Sequence, residues 1–399
     1  MAMNNRDCEL VLARRMRSLP SSCVRDIMRA TEGRDVISFA GGLPRPDLLP
    51  LAAVRQATDR VLVREGSTAL QYSSTEGDAR LRALIAERLL PRRGLRISPD
   101  QVLITSGSQQ ALDLLGKVFL EPGARVVLEN PSYLAAIQAF SLYEPDYLPV
   151  EMDEEGVDPA QLATVGLGQS PSFFYAIPDF QNPTGRVYSP RRRAEVIDVL
   201  ARRGMPLVED APYSFLNYGD DPGPMLTAAY QERSLAMGTM SKVLAPGFRV
   251  GWICGPKSWI EQLRRAKQAS DLCTGAFVQR IVAELLEGLD LDAHFATLRE
   301  CYRQQRDAML AALGRHMPPG VTWTRPAGGM FLWATLPEHL HTRALLERSM
   351  RRGVVFALGD SFSPNGEFGH AMRLNFTHAE PEAIDRGIRI LAEEISAMV

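Results

Sequence analysis

The sequence predicts an α/β protein with a large, mostly parallel sheet flanked by helices, joined to a smaller α+β part. Three observations lead there. Through the middle of the chain, short apolar runs alternate with helix-length segments, as when crossover helices join parallel strands. Polar residues with chemical potential stand just after several of those runs, at the strand ends where such sheets bind ligands. Beyond about residue 290 the rhythm changes to one long helical stretch followed by strands with helices between and after them.

Taken in order, residues 101–105 read as a strand and 108–120 as the helix that follows it. Residues 125–128, 172–177 and 206–209 are further strands, and 190–203 is a helix. Residues 234–238 and 250–254 complete the series. A long helix over 291–313 then leads into strands at 321–325, 330–336 and 372–376. The first forty residues read as an arm. The expected division is an arm over 1–45 that joins the small domain, a large ligand-binding domain over 46–290, and a small C-terminal domain over 291–399.

Composition narrows the function. The 399 residues are 45% hydrophobic and 23% charged, enough apolar material for an extensive core. A formal net charge of -2 gives no electrostatic case for nucleic acid or an anionic membrane. No apolar run approaches the roughly 18 residues that suggest a membrane span. The N-terminus carries Asp7 and Glu9 and lacks an apolar core, so no signal peptide is expected and the cytoplasm is the expected compartment. The five cysteines, Cys8, Cys23, Cys254, Cys273 and Cys301, have neither zinc nor redox spacing. They read as reduced thiols, and no metal is expected. Lysine is scarce: chemistry that needs an amine has only Lys117, Lys242, Lys257 and Lys267 to choose from.

Four segments carry chemistry. In Thr239-Met240-Ser241-Lys242, followed by Pro246-Gly247-Phe248-Arg249, a lysine follows a strand among small and hydroxyl residues. A Schiff-base lysine must be held near neutral to attack a carbonyl, and burial beside cations or apolar groups does that. A phosphate ester needs a fixed guanidinium and hydroxyl donors nearby, which Arg249 and the hydroxyls supply. The plain alternative is a surface lysine in a loop. In Leu207-Val208-Glu209-Asp210-Ala211-Pro212-Tyr213 an apolar strand ends in a carboxylate. A carboxylate there can keep a pyridine nitrogen protonated, although Asp is also a common turn former. In Phe180-Gln181-Asn182-Pro183-Thr184-Gly185 the Asn182 amide can face a ring oxygen or a substrate carboxylate; the same residues favour a simple turn. In Thr105-Ser106-Gly107-Ser108-Gln109-Gln110, a glycine and a helix start suit a phosphate. Tyr133, in Asn130-Pro131-Ser132-Tyr133, can stack on a flat ring or be plain core.

In this order the segments resemble the motifs of fold-type-I pyridoxal-phosphate aminotransferases of class I/II, over nearly the whole chain from about Arg25 onward. Ser38-Phe39-Ala40-Gly41-Gly42-Leu43-Pro44, Leu70-Gln71-Tyr72-Ser73-Ser74-Thr75-Glu76-Gly77 and Gly328-Gly329-Met330-Phe331 resemble the 2-aminoadipate and kynurenine branch. The resemblance implies a seven-stranded type of sheet and pyridoxal 5'-phosphate carried on Lys242, which also shuttles the proton at the substrate Cα. It implies that Asp210 pairs with the pyridine nitrogen, that Asn182 and Tyr213 hydrogen-bond the ring oxygen, and that Tyr133 stacks on the ring. Ser108, Gln109, Thr239, Ser241 and Arg249 would hold the phosphate. Arg373 would clamp the substrate α-carboxylate, with Asn182 and Gly42 beside it. Arg25 would meet the far carboxylate of acidic substrates. Tyr72 would reach the phosphate of a partner subunit, which makes the active species a homodimer with shared sites.

Three positions depart from the family pattern. Ala211 stands where a second acid is common, Thr239-Met240 replaces Ser-Phe, and Leu358-Gly359 replaces Pro-Gly. The implied reaction is transamination between an L-amino acid and a 2-oxo acid, with 2-oxoglutarate as the expected partner. Another reaction on the same cofactor and scaffold, such as β-elimination, decarboxylation or carbon–carbon bond formation, is the alternative. A DNA-binding regulator built on this domain is disfavoured, because no basic helix-turn-helix pattern precedes it.

Overall fold

The computed structural model describes residues 12–16, 19 and 23–398. Cys8, Ser21 and Ser22 lie outside the described residues, as does the side chain of Cys23.

In chain order the strands are β1 (Ile37–Ser38), β2 (Val102–Thr105), β3 (Arg125–Asn130), β4 (Asp146–Asp153), β5 (Gly156–Val157), β6 (Phe173–Ala176) and β7 (Leu207–Asp210). They continue with β8 (Ser234–Thr239), β9 (Gly251–Cys254), β10 (Thr322–Trp323), β11 (Phe331–Thr335), β12 (Val354–Val355), β13 (Ala357–Leu358) and β14 (Ala371–Asn375). The large sheet has eight strands in the order β2-β9-β8-β7-β6-β3-β4-β5, against the seven expected. The eighth, β5, is a two-residue return against the end of β4. β3, β4, β6, β7 and β8 run parallel, and β9 is antiparallel to both of its neighbours.

Alternation along the strands explains why both faces are covered. Val127, Phe174, Ala176 and Leu207 pack on one side with Val196, Val199 and Leu200 of the helix Pro190–Arg203. Val126, Leu128, Phe173, Tyr175 and Val208 point the other way, toward Ala111, Leu112 and Leu115 of the helix Ser108–Phe119. Side chains two apart share a face, so a strand buried on both sides reads as a continuous apolar run. The same alternation separates two adjacent acids. Glu209 turns to one face, where it accepts hydrogen bonds from the backbone N–H groups of Leu226 and Thr227 at the start of the helix Leu226–Ala229. Asp210 turns to the other face.

The smaller sheet is antiparallel, in the order β10-β11-β14-β13. The helix Leu291–His316, 26 residues long and capped by Asp290, leads into it. The N-terminal segment joins here too: β1 pairs in parallel with β12, and the Asn375 N–H donates to the Phe39 carbonyl at 2.9 Å. Among the described residues no helix is long and apolar enough to cross a membrane.

The carboxyl ends of β2, β3, β6, β7 and β8 lie at one edge of the large sheet, and the four chemical segments follow β2, β6, β7 and β8. Two close backbone approaches make that edge possible. A Cβ on Gly251 would lie 2.9 Å from the Gly107 carbonyl carbon, and one on Gly238 would lie 2.2 Å from Cζ2 of buried Trp252. Gly238→Ala should therefore lower the stability of the large part by about 1–3 kcal/mol, the usual cost of overpacking. A denaturant midpoint unchanged from wild type would show that Trp252 moves aside freely.

Candidate active site

Five loops at the carboxyl edge enclose two adjoining cavities. One, of about 430 Å³, is lined by Ser108, Gln109, Tyr133, Asn182, Asp210, Tyr213, Thr239, Ser241, Lys242 and Arg249, together with Arg25. The other, of about 500 Å³, shares Lys242, Asn182, Tyr213, Tyr133 and Arg25, and adds Arg373 and Gly42. The residues singled out from sequence thus converge, with one exception: Tyr72 is 80% exposed and lines neither cavity of its own chain.

Lys242 sits on the turn after β8, half-buried between the two cavities. Its Nζ donates to the Gly42 carbonyl at 2.8 Å. Burial, reinforced by Arg373 and Arg249 and opposed by Asp210, lowers its pKa to about 8. A lysine so placed has a usable neutral fraction in ordinary conditions. Among the described lysines it alone lines these cavities: Lys117 and Lys257 lie in surface ion pairs, and buried Lys267 is paired with Asp271.

Asp210 ends β7 and is 1% exposed. Burial raises its pKa to about 6, against the hydrogen bond from Tyr175 and the charge of Lys242. The Tyr175 hydroxyl donates to Oδ2 at 2.7 Å, while Oδ1 is buried with no hydrogen-bond partner. A buried carboxylate oxygen without a donor is costly, so its place is to accept a proton-bearing group from the cavity.

The wall opposite is built around Arg373 on β14. Its Nη1 donates to Asn182 Oδ1 at 2.8 Å and its Nη2 to the Ala40 carbonyl at 2.6 Å, leaving buried Nε unpartnered. The guanidinium lies 4.0 Å from the Phe331 ring centroid and 5.0 Å from that of Phe362. Burial lowers its pKa to about 10. None of its partners is a carboxylate, so its charge is held in place without being neutralised. Asn182 Nδ2 donates in turn to the Tyr213 hydroxyl at 3.3 Å. Burial raises the pKa of Tyr213 and of Tyr133, so both keep their protons.

At the far end the hydroxyls gather. Thr239 Oγ1 donates to the Val250 carbonyl at 3.1 Å, accepts from Ser241 N at 3.1 Å, and lies 2.9 Å from Ser241 Oγ. Ser108 Oγ is buried with no partner. Arg249 adopts φ 51° and its Nη2 donates to the Ser106 carbonyl at 3.4 Å. Gly107 has φ 76°, and a Cβ there would meet Arg249 Nη2 at 2.3 Å.

These features fit a phosphorylated pyridine aldehyde. Buried Ser108 Oγ, the Thr239 and Ser241 hydroxyls, Arg249 and the start of the helix Ser108–Phe119 can take a phosphate. Unpartnered Asp210 Oδ1 meets the ring nitrogen's chemistry, and the Lys242 amine meets the aldehyde's.

Some of the site was missed in the sequence. Tyr175 had a signal, since its register partner on β7 is Val208 and it therefore shares a face with Asp210. The Ala40 carbonyl and the Phe362 ring had none, because each depends on a contact between distant segments.

The chain matches, over residues 34–391, the family model described as aminotransferase class I and II. It is 42% identical over 395 residues to the aromatic-amino-acid aminotransferase 1 of Thermococcus litoralis, covering 98% of this chain and 95% of that protein. It superposes on a kynurenine aminotransferase from Pyrococcus horikoshii with a TM-score of 0.93 and 39% identity, over 98% of each chain. It also superposes on an alpha-aminoadipate aminotransferase from Thermus thermophilus complexed with N-(5'-phosphopyridoxyl)-L-leucine. There the TM-score is 0.91 and the identity 39%, over 97% of this chain and 98% of that one.

Because the Lys242 amine must be neutral to react, covalent loading of the cofactor-free chain should speed up as pH rises, with a midpoint near 8. Arg373→Leu removes a repelling cation and should move that midpoint upward. Stopped-flow absorbance, followed by borohydride fixation and peptide mapping, checks both points. A label on Lys117, Lys257 or Lys267 would overturn the assignment.

Proposed function

The chain belongs to the class I and II aminotransferases, and from that premise we propose that it moves the amino group of an aromatic, branched-chain, 2-aminoadipate or glutamate-type L-amino acid to a 2-oxo acid, with 2-oxoglutarate as acceptor. It is a pyridoxal-phosphate-dependent transaminase. Bound pyridoxal phosphate supplies an electron sink for negative charge developing at the substrate Cα.

The residues around it take these roles in our reading. Asp210 holds a proton at the ring nitrogen, while Asn182 and Tyr213 orient the ring oxygen. Tyr133 stacks on the ring. Ser108, Gln109, Thr239, Ser241 and Arg249 bind the phosphate. Arg373 takes the substrate α-carboxylate beside Asn182 and Gly42. Lys242 would hold the cofactor, and its amine, kept near neutral by burial, would take the proton from the substrate Cα. The observation that carries this reading is the convergence of Lys242, Asp210 and Arg373 on adjoining cavities, each without a competing ion pair.

The remaining cavity supports dual specificity. Its outer wall is largely apolar, with Val24 and Met28 from the helix Cys23–Ala30 facing Leu134, Ala139 and Leu142. That wall suits a ring or a branched chain. Arg25, on the same helix, lines both cavities and would serve a second carboxylate. The same reading keeps an arm over 1–45, a cofactor-binding domain over 46–290 and a small domain over 291–399, in a cytoplasmic homodimer. Supporting the pairing of arm and small domain is the β1–β12 ladder. Supporting the dimer are exposed Leu70, Tyr72 and Leu272.

Single-turnover mixing of the loaded enzyme with a panel of amino acids, following conversion of the cofactor to its amine form, tests the function. Conversion without release of ammonia is expected; ammonia release would indicate elimination instead. In the same panel Arg25→Ala should lower kcat/KM for glutamate or 2-aminoadipate by the equivalent of about 1.5–3 kcal/mol, with phenylalanine and leucine little changed. An equal loss for both classes would assign Arg25 to the arm rather than to the substrate. Mixing Tyr72→Phe and Lys242→Ala subunits should regenerate some fully intact sites if Tyr72 serves the partner. No recovery of activity after proven subunit exchange would remove Tyr72 from the shared site.

A further inference from the structure

Behind the Asn182 loop lies a carboxylate to which none of these roles applies. Glu129, on β3, is fully buried. It accepts three hydrogen bonds: from the Ile177 backbone N–H at 3.0 Å, the Tyr188 hydroxyl at 2.8 Å and Gln181 Nε2 at 2.9 Å. All three partners are donors, so an ionised carboxyl, which only accepts, satisfies them and an amide cannot. No cation stands among these partners, and burial pushes the Glu129 pKa up to about 7. An ionisable group retained under that penalty invites a reason beyond packing.

The reason lies in what Gln181 does with its other contacts. Its Nε2 also donates to the Pro131 carbonyl at 2.7 Å, and its Oε1 accepts from the Thr184 backbone N–H at 2.8 Å and the Thr184 hydroxyl at 2.7 Å. The Gln181 amide therefore spans the turn that presents Asn182. Glu129 Oε2 and the Pro131 carbonyl both accept from Nε2 and the Thr184 N–H donates to Oε1, so together they fix which way that amide faces. Asn182 follows directly in the chain and bonds Arg373 and Tyr213. The Ile177 contact anchors the start of the same loop, and Ile177 itself lines the inner cavity.

We propose that Glu129 is a positioning residue for transamination, holding Asn182, and through it Arg373, in place by way of the Gln181 amide. This rests on the reading of Arg373 as the α-carboxylate clamp.

The test compares Glu129→Gln with Tyr188→Phe in the loaded enzyme. Glu129→Gln keeps the shape but sets a donor against a donor, either at Gln181 or at the Ile177 N–H. Tyr188→Phe removes a neighbouring hydrogen bond to the same carboxylate while leaving Gln181 alone. Both should lower the melting temperature. Only Glu129→Gln should raise KM for the amino acid, by about tenfold with kcat changed less, and weaken calorimetric binding of 3-phenylpropionate, an unreactive carboxylate, by about the same factor. The conservative variant Glu129→Asp keeps an acceptor facing the Gln181 amide and should retain most of that binding. If Glu129→Gln does not fold, Gln181→Ala, which removes the bridging amide and leaves the carboxylate in place, carries the same comparison against Tyr188→Phe. Melting temperatures that fall in both variants with KM and 3-phenylpropionate binding unchanged would make Glu129 plain scaffold. Wild-type enzyme that fails to bind 3-phenylpropionate would instead count against the function itself.

Discussion

Four cations and one carboxylate line the small space at the carboxyl edge of the sheet, and around two of those cations, Lys242 and Arg373, the site supplies only neutral partners. Lys242 must lose its proton readily, whereas Arg373 must keep its charge and still have it available. A carboxylate beside either would defeat the purpose, raising the amine's pKa or occupying the guanidinium. The chain uses neutral acceptors instead. Backbone carbonyls of Ala40 and Gly42, the amide of Asn182 and two aromatic faces hold the cations by dipole and quadrupole. Asp210, the acid among the described residues that line the cavity, takes its hydrogen bond from Tyr175 on Oδ2 and forms no ion pair with either cation.

That arrangement needs rigid loops, and the acids excluded from the cavity supply the rigidity from behind. Glu209 closes the start of a helix on the opposite face of β7. Asp179 is fully buried; burial alone would raise its pKa, but Arg193 and Arg93 outweigh that and hold it below the usual carboxylate range. It also accepts from Ser214 Oγ at 2.7 Å, so the Asn182 and Tyr213 loops are tied together a few residues from their working side chains. Removing one partner from such a buried pair typically costs about 3–5 kcal/mol, so these loops resist displacement.

Much of this was legible in the sequence because it is local. A strand followed by a loop with an unusual residue is a signal contained within ten positions, and Asp210, Lys242 and the Ser106–Ser108 turn each had one. The helix over 190–203 matched its expected bounds, with Ser189 capping it and Gly204 ending it. Elements without local contrast went unread. β4 carries Pro149 and acids near both ends and is covered only in part, so it lacks the apolar run of an inner strand. β1 and β12 have two residues each and exist only because they meet. Arg249 was expected at a phosphate, but nothing nearby announced its left-handed backbone or the glycine that makes room for it. Such features are properties of two segments at once.

The Ala40 and Gly42 carbonyls have a consequence for how this protein can diverge. Contacts made by main chain are indifferent to the side chains that share the residue, so they leave little trace in residue identity. They depend on phase. Phe39 is locked between the Val355 carbonyl and the Asn375 N–H, and a one-residue slip of that segment would aim N–H groups where carbonyls now face two cations. Substitutions here are felt through packing, since Phe39 and Ala40 are buried, whereas a single insertion or deletion between β1 and Gly42 would invert the polarity of the cavity wall. For engineering of specificity, a change of loop length is most hazardous at this one place.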